Sequence, residues 1–99
     1  MRVLDGQAVQ GLLDPAELVE AVAAAMVDLS AGRASLPPRI AARVPGAGLL
    51  ATMPAYSPTL GVLAAKLLTV YLDNDLVGLP VHQATIAVFD PASGRMLAL

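Results

Sequence analysis

Arg39-Ile-Ala-Ala-Arg-Val44, Pro45-Gly-Ala-Gly48, Leu49-Leu-Ala-Thr-Met53 and then Gly61-Val-Leu-Ala-Ala-Lys-Leu-Leu-Thr-Val-Tyr71 decide the fold class of this chain. The side-chain period over these residues is 2, and glycine and proline punctuate the runs. The first two runs read as a β-hairpin with a glycine-containing loop, and the last carries the marks of a buried strand. Toward the C-terminus, Asp73-Asn-Asp75 is a polar turn and Gln83 to Phe89 is a further strand. Asp90-Pro-Ala-Ser-Gly94 turns the chain again, and Arg95 to Leu99 reads as the returning strand.

Toward the N-terminus the period is that of a helix. Asp14-Pro15-Ala16-Glu17 combines a capping acid, a proline at the first helical position and a glutamate three residues after the cap. This predicts a helix from Pro15 to about Ala31, stopped by Gly32. Leu18, Val22, Met26 and Leu29 fall on one stripe expected to be buried, with Glu17, Glu20 and Asp28 on the wetter side. Asp5 is placed to cap a shorter turn through Gln7 to Leu13, and Arg2-Val-Leu4 reads as a short strand. The expected class is α+β, with an N-terminal helical segment packed on a largely antiparallel or mixed sheet of about five to six strands.

The 99 residues fit one small domain, yet 57% are hydrophobic and only 14% charged, with a mean hydropathy of +0.69. About a quarter of an average soluble chain is charged, so some apolar surface here is expected to face a partner subunit, a further domain, or both. No run is long enough for a membrane-spanning helix: the uncharged stretch from Val44 to Ala65 is interrupted by Pro45, Gly46, Gly48, Pro54, Pro58 and Gly61. Met1-Arg-Val-Leu-Asp5 lacks a signal-peptide core, and the sequence reads as cytoplasmic. There is no cysteine, one histidine, and no clustered set of metal ligands. A net charge of −2, six scattered basic residues and 3% aromatics argue against a nucleic-acid surface. Gly46-Ala-Gly48 leads into a strand instead of a helix, so the chain does not supply the main cradle for a nucleotide.

Lys66 is the only charged residue between Arg43 and Asp73, and it interrupts the most apolar strand. Two readings stand side by side. One is a desolvated lysine able to act as an acid or base or to polarise a carbonyl or imine. The other is a lysine snorkelling from an edge strand, where it discourages edge-to-edge pairing. Arg39 follows Leu36-Pro37-Pro38, which restricts its approach; it is either a carboxylate clamp or a residue of the solvated face. Met53 is core packing or the lining of a substrate pocket, and Pro54 is expected to end its strand by removing a ladder donor. His82, after Gly78-Leu79-Pro80, is structural or catalytic.

Taken as an ordered set, Pro37-Pro-Arg39, Met53-Pro-Ala-Tyr56, Lys66-Leu-Leu-Thr-Val70, Asp73-Asn74, Gly78-Leu-Pro80, His82-Gln-Ala84, Phe89-Asp-Pro91 and Gly94 resemble the N-terminal region of the ornithine cyclodeaminase/mu-crystallin family. The resemblance implies an NAD(P)-dependent homodimer of roughly three times this length, acting on a small 2-amino or 2-imino acid and built from a substrate-binding and dimerisation domain plus a Rossmann domain. Residues 1–99 then form a partial substrate-binding and dimerisation domain. The Rossmann domain, most of the NAD or NADP site and a catalytic aspartate lie outside this chain, whose end on an apolar strand has the look of a truncation.

By the same resemblance, Lys66 works on the amino or imino carbon, Arg39 holds the carboxylate and Met53 lines the substrate. Two departures stand out. Many relatives place a serine or threonine near the nicotinamide where this chain has Val81, leaving only a backbone contact to the cofactor. Relatives acting on ornithine carry a carboxylate just before the Met-Pro pair, where this chain has Ala51 and Thr52. An apolar or small substrate side chain is therefore expected, and the 99-residue chain alone is expected to be inactive. The alternative is a non-catalytic dimerisation or small-carboxylate-binding module.

Overall fold

Two aspartates start the two helices in the computed structural model of the chain, which describes residues 1–99. Asp5 accepts a hydrogen bond from the Ala8 N–H at 2.8 Å and opens α1 (Gly6–Leu12). Asp14 accepts from Ala16 N–H at 3.1 Å, and Pro15, which has no N–H to satisfy, begins α2 (Pro15–Ser30). Five strands follow: β1 (Ile40–Val44), β2 (Gly48–Ser57), β3 (Val62–Val70), β4 (His82–Phe89) and β5 (Met96–Ala98), with a 3₁₀ turn, Leu72–Val77, between β3 and β4. They pair in sequence order, each antiparallel to its neighbour. The class is α+β, as expected. The short strand expected at Arg2–Leu4 is reduced to one parallel bridge, Arg2 with Ala98.

Two local features fix the β2–β3 hairpin. At one end, a Cβ on Gly48 would run into the Val70 carbonyl oxygen and lie 2.6 Å from the Tyr71 ring, so only glycine lets β2 start this close to the partner strand. The other end is held by Asp28. Its carboxylate accepts from Ser57 Oγ at 2.7 Å, Thr59 Oγ1 at 2.5 Å, Thr59 N–H at 3.0 Å and Arg33 Nε at 3.1 Å. These donors tie the last turn of α2 to the turn after β2.

Several expectations need correction. Asp28 is not on a wet face: it is fully buried, and its charge is tolerated because four donors enclose it. The stripe Leu18, Val22, Met26 and Leu29 is exposed, with Val22 at 53% and Met26 at 57%, because α2 touches the sheet only near its C-terminal end. Pro54 does not end β2, which runs on to Ser57. The Tyr56 N–H points to Ser35, on the β1 side, so the Pro54 nitrogen points the same way. β1 has begun only at Ile40, opposite Thr52, and no ladder acceptor is lost there.

Lys66 departs from its edge-strand reading, and the burial assumed in the other is missing from this chain. β3 is the central strand, paired along both edges, so the lysine is not an edge device. Its side chain is exposed in this chain, so it is not desolvated. Only Ala51 and Ala87 form a fully buried apolar core. The accessible surface, 7293 Å², exceeds by about 2,000 Å² that of a typical folded protein of this mass. The surplus apolar area inferred from composition is thus visible on α2 and on the sheet. No helix is long and apolar enough to cross a membrane.

Hydroxyl hydrogen bonds from Thr59 and Ser57 are the main cause that holds the Asp28 carboxyl well below the usual carboxylate range. A depressed folded-state pKa gives a contribution fully present above the unfolded value, about 3.9, and lost as pH falls toward the folded one. Asp28→Asn should therefore lower the thermal midpoint by several degrees at pH 7. It should also flatten the acid limb below about pH 4, where the wild-type chain loses this contribution. Equal midpoints for variant and wild type across pH 3–7 would rule out the clamp.

Candidate active-site face

The register of the meander places the candidate residues in one row. Met53 in β2 stands opposite Lys66 in β3, and Lys66 stands opposite Ile86 in β4. Arg39 directly precedes β1, whose pairing of Ile40 with Thr52 continues to Arg39 beside Met53. Directly opposed residues of antiparallel strands share a face. Arg39, Met53, Lys66 and Ile86 therefore form a transverse row, with Arg39 and Lys66 two strand spacings apart, about 10 Å at Cα. Three residues separated by up to 27 positions in sequence were singled out individually; the sheet brings them together.

Each cation of the row borders its own recess. Arg39 and Met53, with Leu36, Pro37 and Pro38, line one of about 310 Å³. The two prolines hold this wall in an extended conformation. Lys66 borders a second recess of about 410 Å³, closed by Ile86 and Val88 from β4 and by Leu4 and Val9 from the N-terminal segment and α1. Met53, half-buried, lies between the two cations. The only salt bridge in the chain joins Arg33 to Asp28, so neither Arg39 nor Lys66 has a carboxylate partner. The next row on this face, Ala41, Ala51, Leu68 and Ala84, carries no charge.

This arrangement presents two unpaired cations across a thioether floor. A carboxylate can be gripped by the guanidinium through two parallel hydrogen bonds while its α-carbon lies toward the ammonium. Val81 stands apart, just before β4. Its carbonyl accepts from the Tyr71 N–H at 2.9 Å, and its own N–H has no partner in the chain. His82 is exposed at the start of β4, opposite Val70, two rows from Lys66. Asp73 and Asp75 lie in the 3₁₀ turn, where Asn74 Nδ2 donates to the Pro80 carbonyl at 3.0 Å. Asp90 caps its own turn; Ser93 Oγ at 2.6 Å and then Ala92 N–H hold its carboxyl below the usual range.

Sequence reasoning missed Leu4, Val9, Ile86 and Val88 as lining of the recess beside Lys66. They are ordinary apolar positions, brought to Lys66 by contacts spanning up to some sixty residues, and no local pattern marks them. A dinucleotide does not fit this chain alone. Its sheet is wholly antiparallel, and no strand leads through a glycine-rich turn into a helix N-terminus.

The sequence model of the ornithine cyclodeaminase/mu-crystallin family matches residues 2–99. The ketimine reductase mu-crystallin of Mus musculus is 42% identical over 52 residues, 52% of this chain and 17% of that protein. The Thermococcus litoralis Δ(1)-pyrroline-2-carboxylate reductase, solved with NADH and L-proline, superposes with a TM-score of 0.92 at 32% identity, covering 99% of this chain and 31% of that one. An archaeal alanine dehydrogenase dimer with bound NAD gives a TM-score of 0.90 at 28% identity, covering 99% of this chain and 30% of that one. The chain thus spans under a third of the length of these relatives. The matched residues, 2–99, and the fold they share place this chain in the ornithine cyclodeaminase/mu-crystallin family.

Proposed function

We propose that residues 1–99 are the substrate-binding and dimerisation part of an NAD(P)-dependent enzyme that acts on 2-amino or 2-imino acids. The single observation carrying this reading is the row Arg39, Met53, Lys66, with two unpaired cations facing the same side of the sheet. Arg39 binds the substrate carboxylate, Met53 packs under the substrate, and Lys66 holds or moves the proton at the amino or imino nitrogen and carbon. The relatives solved with NAD or NADH, and one of them with L-proline, support the cofactor class and the substrate class. The dinucleotide belongs to the two-thirds of the relatives that lies outside the match, a Rossmann domain by the family resemblance. The Val81 N–H, which has no partner in this chain, is the backbone group assigned to it.

Two outcomes test this. The purified 99-residue chain, given NADH or NADPH and a cyclic imino acid, should show no turnover; measurable oxidation of the nicotinamide would overturn the division of labour. In a chimera where residues 1–99 replace the matched third of the Thermococcus litoralis reductase, Lys66→Met should lower kcat by about 10²-fold or more. Arg39→Ala should raise KM for the imino acid by roughly 10- to 100-fold, the worth of a charge-assisted hydrogen bond. An unchanged kcat or an unchanged KM removes the corresponding residue from the mechanism.

A further inference from the structure

We infer that Arg43 is a second anion anchor on the substrate face, and that the substrate carries a carboxylate on its side chain besides the one held by Arg39. The inference deepens the reading above and rests on it.

The sheet has its charge on one side and in one sign. Its strands hold no acid; the eight aspartates and glutamates of the chain fall in caps, helices and turns. Arg43 stands opposite Leu49, and Leu49 opposite Val70, so Arg43 projects from the same face as Arg39 and Lys66. It lies four residues beyond Arg39, about 13 Å at Cα, with only Ala41 between them on that face. Ala41 has no side chain beyond Cβ, so the two flexible stems can lean over it toward one ligand. Arg43 is exposed and unpaired: the one salt bridge joins Arg33 to Asp28. The acids at that end of the sheet, Asp73 and Asp75 in the 3₁₀ turn, make no ion pair with it.

The two sides of the row of Arg39, Met53 and Lys66 differ. On one side, Ala55 and Ala64 share a recess of about 290 Å³ with Met26 and Leu29 of α2, and no charged residue lines it. On the other side, Ala41, Ala51 and Leu68 make a floor of small and apolar side chains that ends at Arg43. Ala51, one of the two positions where ornithine-acting relatives are expected to carry an acid, lies on this floor. Its β1 partner Ala41 is flanked by Arg39 and Arg43, so the charges nearest to it along β1 are both basic.

A substrate with its carboxylate at Arg39 and its reacting carbon toward Lys66 can extend over this floor to the second guanidinium. A side-chain ammonium there meets three cations and no acid. A hydrocarbon leaves Arg43 to lose solvation without a partner once the face is covered. A carboxylate instead accepts two parallel hydrogen bonds from the guanidinium. The competing role for Arg43 is to guard the sheet edge, since β1 is an outer strand. Edge protection needs the charge and no ligand, so experiment separates the two.

L-Alanine, L-aspartate and L-ornithine share one head group and differ in the charge of the side chain. Titrated into the ¹⁵N-labelled 99-residue chain, each should shift the amides of Arg39 and Lys66, and aspartate alone should also shift Ala41 and Arg43. On this open face aspartate should bind about threefold tighter than alanine, the worth of a solvated ion pair, and ornithine no tighter than alanine. Arg43→Gln should bring aspartate down to the affinity of alanine. In the chimera, oxaloacetate and pyruvate with ammonia supply the corresponding 2-imino acids. There the kcat/KM ratio of oxaloacetate to pyruvate should fall about tenfold or more on Arg43→Gln. Shifts at Arg39 and Lys66 with equal affinities for aspartate and alanine would overturn the anchor and leave the site standing. A preference for ornithine, or one for aspartate untouched by Arg43→Gln, would do the same and return Arg43 to the sheet edge. Absence of shifts at Arg39 and Lys66 with all three ligands would remove the site and the inference together.

Discussion

The pairing of Met53 with Lys66 is the constraint on which the candidate site depends. Side chains alternate along a strand, so a slip of one residue between β2 and β3 would turn Lys66 to the opposite face from Met53 and Arg39. A flat, half-buried hairpin rich in alanine and leucine specifies its own register weakly. Here the register is pinned at both ends by features that cannot slide. Gly48 alone permits the approach of Tyr71 at one end, and the Asp28 carboxylate grips Ser57 and Thr59 at the other. Lys66 lies between the pins, in the strand that both neighbours hold.

The same hairpin explains why so hydrophobic a chain has so small a core. One sheet with two helices offers two faces, and α2 is tethered near one end instead of lying across either of them. Its apolar residues then point outward, and only Ala51 and Ala87 are enclosed by the meander itself. A helix apolar on most of its circumference is normally buried in a larger body. Relatives that share this fold are about three times as long, which is consistent with cover supplied from beyond the matched residues or from another subunit.

Much of the architecture was legible in the sequence. The caps at Asp5 and Asp14, the switch of period after Gly32 and the glycine-marked turns locate both helices and all five strands to within a few residues. The errors share one cause: each needed a partner that the local pattern does not contain. Asp28 reads as a wet residue because its charge is visible and its four donors, three of them from residues some thirty positions away, are not. Pro54 reads as a strand end because the absence of β1 beyond Ile40 is a fact about a different segment. Arg39, Met53 and Lys66 were recognisable as types and through family resemblance, but their common row follows from register. Leu4 and Val9 carry no chemistry of their own and come to line the recess beside Lys66 only by where α1 lands.

The exposure of Lys66 has a physical reading that fits this incomplete enclosure. At the Cα spacing of this pair, about 10 Å, two unit charges repel by only about 0.4 kcal/mol in water, so the open face tolerates Arg39 and Lys66 without an acid. Once the face is covered and the effective dielectric falls to about 20, the same separation gives roughly 1.7 kcal/mol, and each charge also loses solvation. A carboxylate lodged between them reverses the sign of the balance. On the proposed reading, covering this face is therefore more favourable with an anionic substrate in place, and substrate binding and enclosure of the site are thermodynamically linked. The absence of any acid in the row, which looks like an unfinished site in the isolated chain, is what makes that linkage possible.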